Sequence, residues 1–379
     1  MNTTILTLGL YRSSGGPSKS VSAFRDALGA RVISWVDPVQ YEAEDLVWKN
    51  SAIVRGKGGW LQRRLLIPRT DDVAAAEEVL KQSHLVSCHS FWRWHNIWLR
   101  RTARKHSIPF WFVPHGILDP YVFTKDRVTK RLFLSLGGQA FLNEAAAVVC
   151  ATRREYEKLA HFLPRIPFAI IPWPLEESDF RTRNETVRAA TRAALRIPED
   201  AVVLLYLGRL HPMKQPLETI DTVARCRDNR CHLIMVGNEC GVSVAECRLR
   251  AKAAGLEHRV HVVGPAYGAD KVAYLDASDV YISLSHRENF NFTAAESMAA
   301  ELPLLLSAGN DLASELSTVR CGWMVPAGQA PEAAIDAAIA AGDAQRSEYG
   351  RTGKAWASKH LRREVFDASV RALAADTAR

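Results

Sequence analysis

Val202-Val203-Leu204-Leu205-Tyr206-Leu207-Gly208-Arg209-Leu210-His211-Pro212-Met213-Lys214 decides how this chain is to be read. Six apolar residues are long enough for a buried strand and too short for a helix. Gly208 closes the run, a loop with two cations follows, and an amphipathic helical pattern begins near 217. A strand, a turn at its carboxyl end and a helix make one βα unit. Downstream the unit repeats, with strands expected at 232–236, 260–263, 280–284 and 304–307 and helices at 217–226, 244–254, 271–277 and 292–300. Upstream the same alternation occupies the first half. Strands are expected at 4–10, 30–36, 84–89, 110–114, 147–151 and 168–172, and helices at 19–28, 90–105, 135–143 and 153–162. Two separate series of βα units predict an α/β protein of two Rossmann-like domains, facing each other across a cleft, rather than one long sheet. Residues 176–198 read as the seam, rich in Arg and Glu. The expected division is 1–178, 179–355, and a terminal helix within 356–379 that crosses back to the first domain.

Bulk properties agree with two soluble cores. The 379 residues are 47% hydrophobic and 24% charged, in the ordinary globular range. The seven cysteines form no C-x-x-C, which predicts free buried thiols in a reducing compartment. Residues 1–9 lack a basic leader and run into a glycine turn, so no targeting segment is expected and the location reads as cytoplasmic. Residues 132–151 carry little charge, but glycines, Gln139, Asn143 and Glu144 interrupt them, arguing against a membrane span. Charge is uneven: residues 1–170 hold 24 Lys+Arg against 14 Asp+Glu, the rest 25 against 27. A basic first half suits an anionic partner, such as the inner face of the cytoplasmic membrane or a diphosphate-bearing acceptor, and equally a plain basic surface. No zinc-finger, RNP or helix-turn-helix pattern points to nucleic acid.

Four stretches carry candidate chemistry. Ser13-Ser14-Gly15-Gly16-Pro17 follows the first strand, where glycines let backbone N–H groups approach a phosphate at a helix start; a tight turn without ligand fits as well. Arg209 and Lys214 sit at the carboxyl end of a parallel strand, a fork and a point charge suited to phosphate oxygens. Glu288-Asn289-Phe290-Asn291-Phe292 leads into a helix bearing Glu296. The loop acid suits sugar hydroxyls, the amides at the helix start suit a phosphate, and the helical acid suits a ribose. The bland alternative makes both acids surface or helix-start residues. His115-Gly116 ends a strand, which places the imidazole as a donor near the reacting carbon, or as a structural histidine. Trp92, Trp94 and Trp98 with nearby arginines read as a helix packed under the sheet, or else as a membrane or acceptor face. Asp276-Ala277-Ser278-Asp279 lacks D-x-D spacing, so no metal is expected.

These pieces in this order resemble the retaining GT-B glycosyltransferases of family 4. Glu296-Ser297-Met298-Ala299-Ala300 and Leu302-Pro303 look like that family's EAMAAGLP segment, and Gly322-Trp323-Met324-Val325 like the G-W/L-x-V motif that follows. His115-Gly116-Ile117-Leu118-Asp119-Pro120 resembles a segment of a bacterial branch that builds surface polysaccharides. The resemblance implies that Arg209 and Lys214 grip a donor diphosphate, Glu288 the hexose and Glu296 the ribose. It implies main-chain contacts from Asn289, Phe290, Asn291 and Phe292, with Gly15 and Gly16 near the diphosphate, His115 beside the sugar and the base near 265–271. It implies metal-free hexosyl transfer from a GDP- or UDP-linked donor, with no cofactor, to a glycan or polyprenyl-diphosphate-linked acceptor. A GT-B epimerase, a phosphorylase and a non-catalytic nucleotide-sugar binder are the alternatives. Asn291 and Glu301 stand where the family pattern has glycine, and Pro172-Trp173-Pro174 replaces P-N-G. These departures put hexose preference and hinge geometry in question.

Overall fold

The computed structural model describes residues 1–378 except 12–14, 44, 48–49, 58–65, 125 and 161–165. It divides into two compact units, Met1–Pro174 with Arg363–Arg379, and Leu175–Arg362.

The first unit is built on a seven-stranded parallel sheet: β1 (Thr3–Leu8), β2 (Arg31–Val36), β3 (Ala52–Arg55), β4 (Leu85–His89), β5 (Phe110–Val113), β6 (Ala147–Cys150) and β7 (Phe168–Ile170). Their spatial order is β3-β2-β1-β4-β5-β6-β7. The second unit holds β8 (Val202–Leu207), β9 (Cys231–Val236), β10 (Val260–Gly264), β11 (Val280–Ser283), β12 (Leu304–Ser307) and β13 (Gly322–Val325), ordered β10-β9-β8-β11-β12-β13, also all parallel. Each order reverses once, between β1 and β4 and between β8 and β11. At such a switch point neighbouring connections leave toward opposite faces, opening a crevice at the carboxyl ends of the strands. Helices cover both faces, so the central strands are buried on both sides; all six residues of β8 are inside. That is why they read as continuous apolar runs.

Several elements depart from the sequence reading. The edge strands β3 and β13 were not anticipated, because each has only four residues and partly exposed positions. The seam stretch is no plain linker: Glu185–Ala194 is a helix whose cap, Asn184 Oδ1, accepts from Val187 N at 3.1 Å. It is fastened by charge, with Arg188 and Arg192 each 2.6 Å from Asp279. The final stretch is two helices, Gly342–His360 and Arg363–Thr377. Only the second belongs to the first unit, where Arg363 Nη2 donates to Ala23 O at 3.2 Å, Arg371 Nε to Ala27 O at 2.9 Å, and Phe366 packs edge-on against Phe24. All seven cysteines are free, and six are buried.

Candidate functional site

The second sheet's switch point gathers most of the expected residues. After β8, Tyr206 Oη donates to Arg209 O at 2.8 Å and Leu210 N donates to Asn238 O at 2.7 Å, pinning the loop to the end of β9. Gly237 makes this possible: a Cβ there would lie 1.8 Å from the Gly208 carbonyl oxygen. The Arg209 side chain is exposed, and among the described residues its one hydrogen-bond contact is the Cys240 sulfur, at 3.9 Å, leaving its fork open. Pro212–Lys214 forms one 3-10 turn, capped by His211 Nδ1 accepting from Met213 N at 3.0 Å. That turn aims Lys214 Nζ at Glu288 Oε1, with which it forms a half-buried ion pair.

The loop after β11 meets the first one directly, since His286 N donates to Met213 O at 2.9 Å. Glu288 is locked through its main chain: its N donates to Gly309 O and its O accepts from Asp311 N, both at 2.8 Å. Gly309 admits no side chain, because a Cβ would sit 2.2 Å from Ser285 O. Asn310, fully buried, donates to Ser283 O at 3.1 Å and accepts from Asn291 Nδ2 at 2.7 Å.

Asn291 has φ 53°, in the left-handed region, and caps helix Phe292–Ala299 by accepting from Ala294 N at 3.2 Å. Asn tolerates that backbone better than other non-glycine residues, which is why it replaces the pattern's glycine. Its side chain is consumed inside the fold. The opening N–H groups of the helix, Phe292 and Thr293, have no acceptor within it. Glu296, one turn in, is buried and held by Lys271 Nζ at 3.0 Å. Among the described residues Asn289 Oδ1 is shielded from solvent without a donor, an acceptor of the kind that a bound hydroxyl or water satisfies.

In the first unit, Gly15 has φ 65° and caps helix Gly16–Leu28; Ser13 and Ser14 lie outside the described residues. His115, beyond β5, has φ 50°. Its Nε2 is 2.9 Å from His89 Nδ1, and its ring stacks on His89 with centroids 5.2 Å apart. Removal from water pushes the His115 imidazole down to about 4, so it is neutral near pH 7. The next residue is clamped too: Gly116 N donates to Glu155 Oε1 at 2.6 Å, and Ala151 N to Glu155 Oε2 at 2.8 Å. Trp92 and Trp98 are buried beneath the sheet. Asp276 is taken by Arg181 at 2.5 Å and Asp279 by Arg188 and Arg192, so both serve the packing of the second unit.

Sequence reasoning singled out none of His89, Glu155, Gly237, Gly309 and Asn310. Gly237 and Gly309 carried a signal, each just past an apolar strand. His89 carried the same signal as His115, a histidine ending a strand. Asn310 and Glu155 act through tertiary hydrogen bonds that leave no local pattern.

Residues 187–356 match the family model described as Glycosyl transferases group 1. Among curated proteins, the D-inositol 3-phosphate glycosyltransferase of Jonesia denitrificans is 24% identical over 250 residues, covering 61% of this chain and 56% of its own. That of Saccharomonospora viridis is 28% identical over 202 residues, covering 50% and 46%. The chain thus spans about half the length of these relatives. Among solved structures, Anabaena Alr3699/HepE in complex with UDP superposes with a TM-score of 0.79 at 17% identity, covering 99% of this chain and 100% of that one. Sucrose-phosphate synthase from Thermosynechococcus elongatus gives 0.73 at 21%, covering 99% of each. Two parallel-sheet α/β units and these neighbours define the GT-B fold. Within it, the second unit carries the group 1 glycosyltransferase sequence pattern, on the segment that holds Arg209, Lys214, Glu288 and Glu296.

Proposed function

We propose that this chain is a retaining, metal-independent glycosyltransferase. It moves a hexose from a UDP- or GDP-linked donor onto a glycan or polyprenyl-diphosphate-linked glycan in polysaccharide biosynthesis. The observation that carries the reading is the convergence of an open Arg209 fork, the Lys214–Glu288 pair and the start of helix Phe292–Ala299 at one switch point. Cations and helix-start amides attract a diphosphate. Lys214 spends one of its three donor hydrogens on Glu288 and keeps two for phosphate oxygens. Glu288 has carboxylate lone pairs left for sugar hydroxyls, and Asn289 Oδ1 awaits a donor. Glu296 takes the ribose, exchanging part of its contact with Lys271. From the first unit, Gly15, Gly16 and His115 are assigned to the diphosphate and the sugar.

Catalysis on this reading is stabilisation of the leaving group. The bond between the anomeric carbon and the phosphate oxygen breaks as negative charge grows on the nucleotide diphosphate, opposite Arg209 and Lys214. The acceptor oxygen bonds to the anomeric carbon on the same face, and its proton passes to the departing phosphate. Metal independence rests on these cations supplying the positive charge, while Asp276 and Asp279 are engaged by arginines. The test is a panel of UDP- and GDP-sugars in thermal-shift and hydrolysis assays with and without EDTA, followed by the anomeric configuration of the product. No shift and no turnover with any donor would overturn the assignment. Release of free sugar and nucleotide at full rate without acceptor would favour the epimerase reading.

Contact with an anionic membrane is part of the proposal. No helix among the described residues is long and apolar enough to cross a bilayer. Val128, Leu132 and Leu136, four residues apart along consecutive helical turns, are 81%, 55% and 62% exposed. The exposed Arg127 and Arg131 flank them. Apolar side chains beside cations suit the interface of an anionic bilayer. Sedimentation with phosphatidylglycerol vesicles should fall at high salt and in Leu132→Asp; equal binding by that variant would remove this surface from the proposal.

A further inference from the structure

The proposed function uses His115 and leaves the buried side chains behind it without a role. Ser87, His89 and His115 form a hydrogen-bonded file at the carboxyl ends of β4 and β5. Ser87 Oγ is 2.9 Å from His89 Nε2, and His89 Nδ1 is 2.9 Å from His115 Nε2. Ser87 and His89 are buried, and Phe24 packs edge-on against the His89 ring. The chain conformation here is unusual as well: Ser90, Trp92 and His115 all have positive φ, at 104°, 68° and 50°. Such strain persists where the surroundings over-determine it, and it collects at functional sites. Glu155 fixes the Gly116 amide from the other side.

The file runs in one of two directions. In one, the Ser87 hydroxyl donates to His89 Nε2, His89 Nδ1–H donates to His115 Nε2, and His115 carries its proton on Nδ1. In the other, every bond is reversed, and the Ser87 hydroxyl hydrogen is left without an acceptor, because among the described residues His89 is that side chain's one hydrogen-bond partner. A buried hydroxyl that fails to donate is costly, so the first direction is favoured. Among the described residues His115 Nδ1 then has no hydrogen-bond partner, and the residue is partly exposed.

We propose that His89, anchored by Ser87, is a positioning residue that locks His115 in the Nδ1–H tautomer, so that His115 offers substrate a hydrogen-bond donor and not a base. The inference rests on the reading of His115 as a substrate-facing residue of a glycosyltransferase. Burial holds both imidazoles below their ordinary range, so each carries one proton near neutral pH and the tautomer is a definite quantity. A donor of fixed direction strengthens as charge develops on a sugar or phosphate oxygen, whereas the opposite tautomer would present a lone pair to that oxygen.

The experiment is a long-range proton–nitrogen correlation spectrum of the full chain labelled with 15N-histidine, with His115 assigned by loss of its signals in His115→Gln. The expected result is His115 as Nδ1–H in the wild type, and loss of that single tautomer in His89→Leu. In His89→Asn the side-chain NH2 replaces the Nδ1–H donor, and the tautomer should be retained. With whichever of UDP-glucose and GDP-mannose the donor panel turns over, His89→Leu should lower kcat about 10- to 100-fold with KM nearly unchanged, and His89→Asn should recover most of it. A wild-type His115 protonated on Nε2 overturns the proposal, as does an unchanged Nδ1–H signal in folded His89→Leu. If that variant does not fold, Ser87→Ala replaces it, and an unaltered His115 spectrum there has the same force. Absence of turnover with every donor removes the transferase reading and leaves the tautomer result standing, so the two failures are distinct.

Discussion

Arg209 and Lys214 differ in what holds them, and the difference predicts how their removal behaves. Among the described residues Arg209 makes one weak polar contact and Lys214 one ion pair, so neither contributes much to folding. Arg209→Ala and Lys214→Ala should each lower donor turnover by about 100-fold or more while shifting stability by about 1 kcal/mol at most. Near wild-type kcat/KM in either variant would detach that cation from the chemistry. Asn289 should behave in the opposite sense for stability. Its amide oxygen is buried without a donor among the described residues, so Asn289→Ala removes a standing cost and should leave the melting temperature unchanged or slightly raised. Donor KM should nevertheless rise by about tenfold, the loss of one neutral hydrogen bond. A variant that melts lower with unaltered KM would show that the side chain serves the loop alone. Single residues also show where sequence reading reaches its limit. Asn291 and Glu301 break the family pattern, yet both stand at positive φ, 53° and 64°. What the pattern's glycine supplies at these positions is a backbone conformation, and other residues can occupy it when hydrogen bonds or ion pairs compensate. Asn291 is held by Asn310, and Glu301 by Lys354 at 3.2 Å.

At the scale of the element, the two loops that carry the candidate site depend on glycines outside it. Gly237 ends its strand against the Gly208 carbonyl, with no room for a methyl group. Gly237→Ala should displace the Arg209 loop, cost about 3 kcal/mol and weaken nucleotide binding together with stability. Calorimetric titration with UDP and GDP beside a thermal melt checks both; a stable variant with normal affinity would contradict the close approach. The legible elements were those whose environment writes itself into composition. Strands buried on both faces, such as β8 and β9, read as unbroken apolar runs. The edge strand β3 buries only alternate positions over four residues and fell below that signal. Helix Thr70–Lys81 was missed although its marks were present: Asp71 and Asp72 in the first turn, Lys81 in the last, and Ala76 and Leu80 on one buried stripe. The loops' positions were legible too, because a βα unit places its turn at the carboxyl end. Their internal fastening by Asn310 was not, because it joins residues far apart in sequence.

At the scale of the whole molecule, burial holds several histidines neutral, in both units. His95 is pushed down to about 3, and His115 and His232 to about 4. In the unfolded chain such groups take up protons below about pH 6.5, while the folded protein resists until near pH 4. Their contribution to stability is therefore complete above pH 6.5 and lost as the pH falls from there toward 4. Both units should soften in that window, since His95 and His115 lie in the first and His232 in the second. A melting temperature flat between pH 7 and pH 4 would contradict the burial of these rings. The division of the chain has another result. The first unit's Phe24 and Trp173 pack with Phe366, and Trp111 Nε1 donates to Thr377 Oγ1 at 2.9 Å. Those partners leave the ribosome only after the entire second unit has been synthesised. During translation the earlier-made half must wait, its aromatic side chains uncovered, while the later-made half is already free to fold, and the nascent chain is most exposed to chaperones and proteases in that interval.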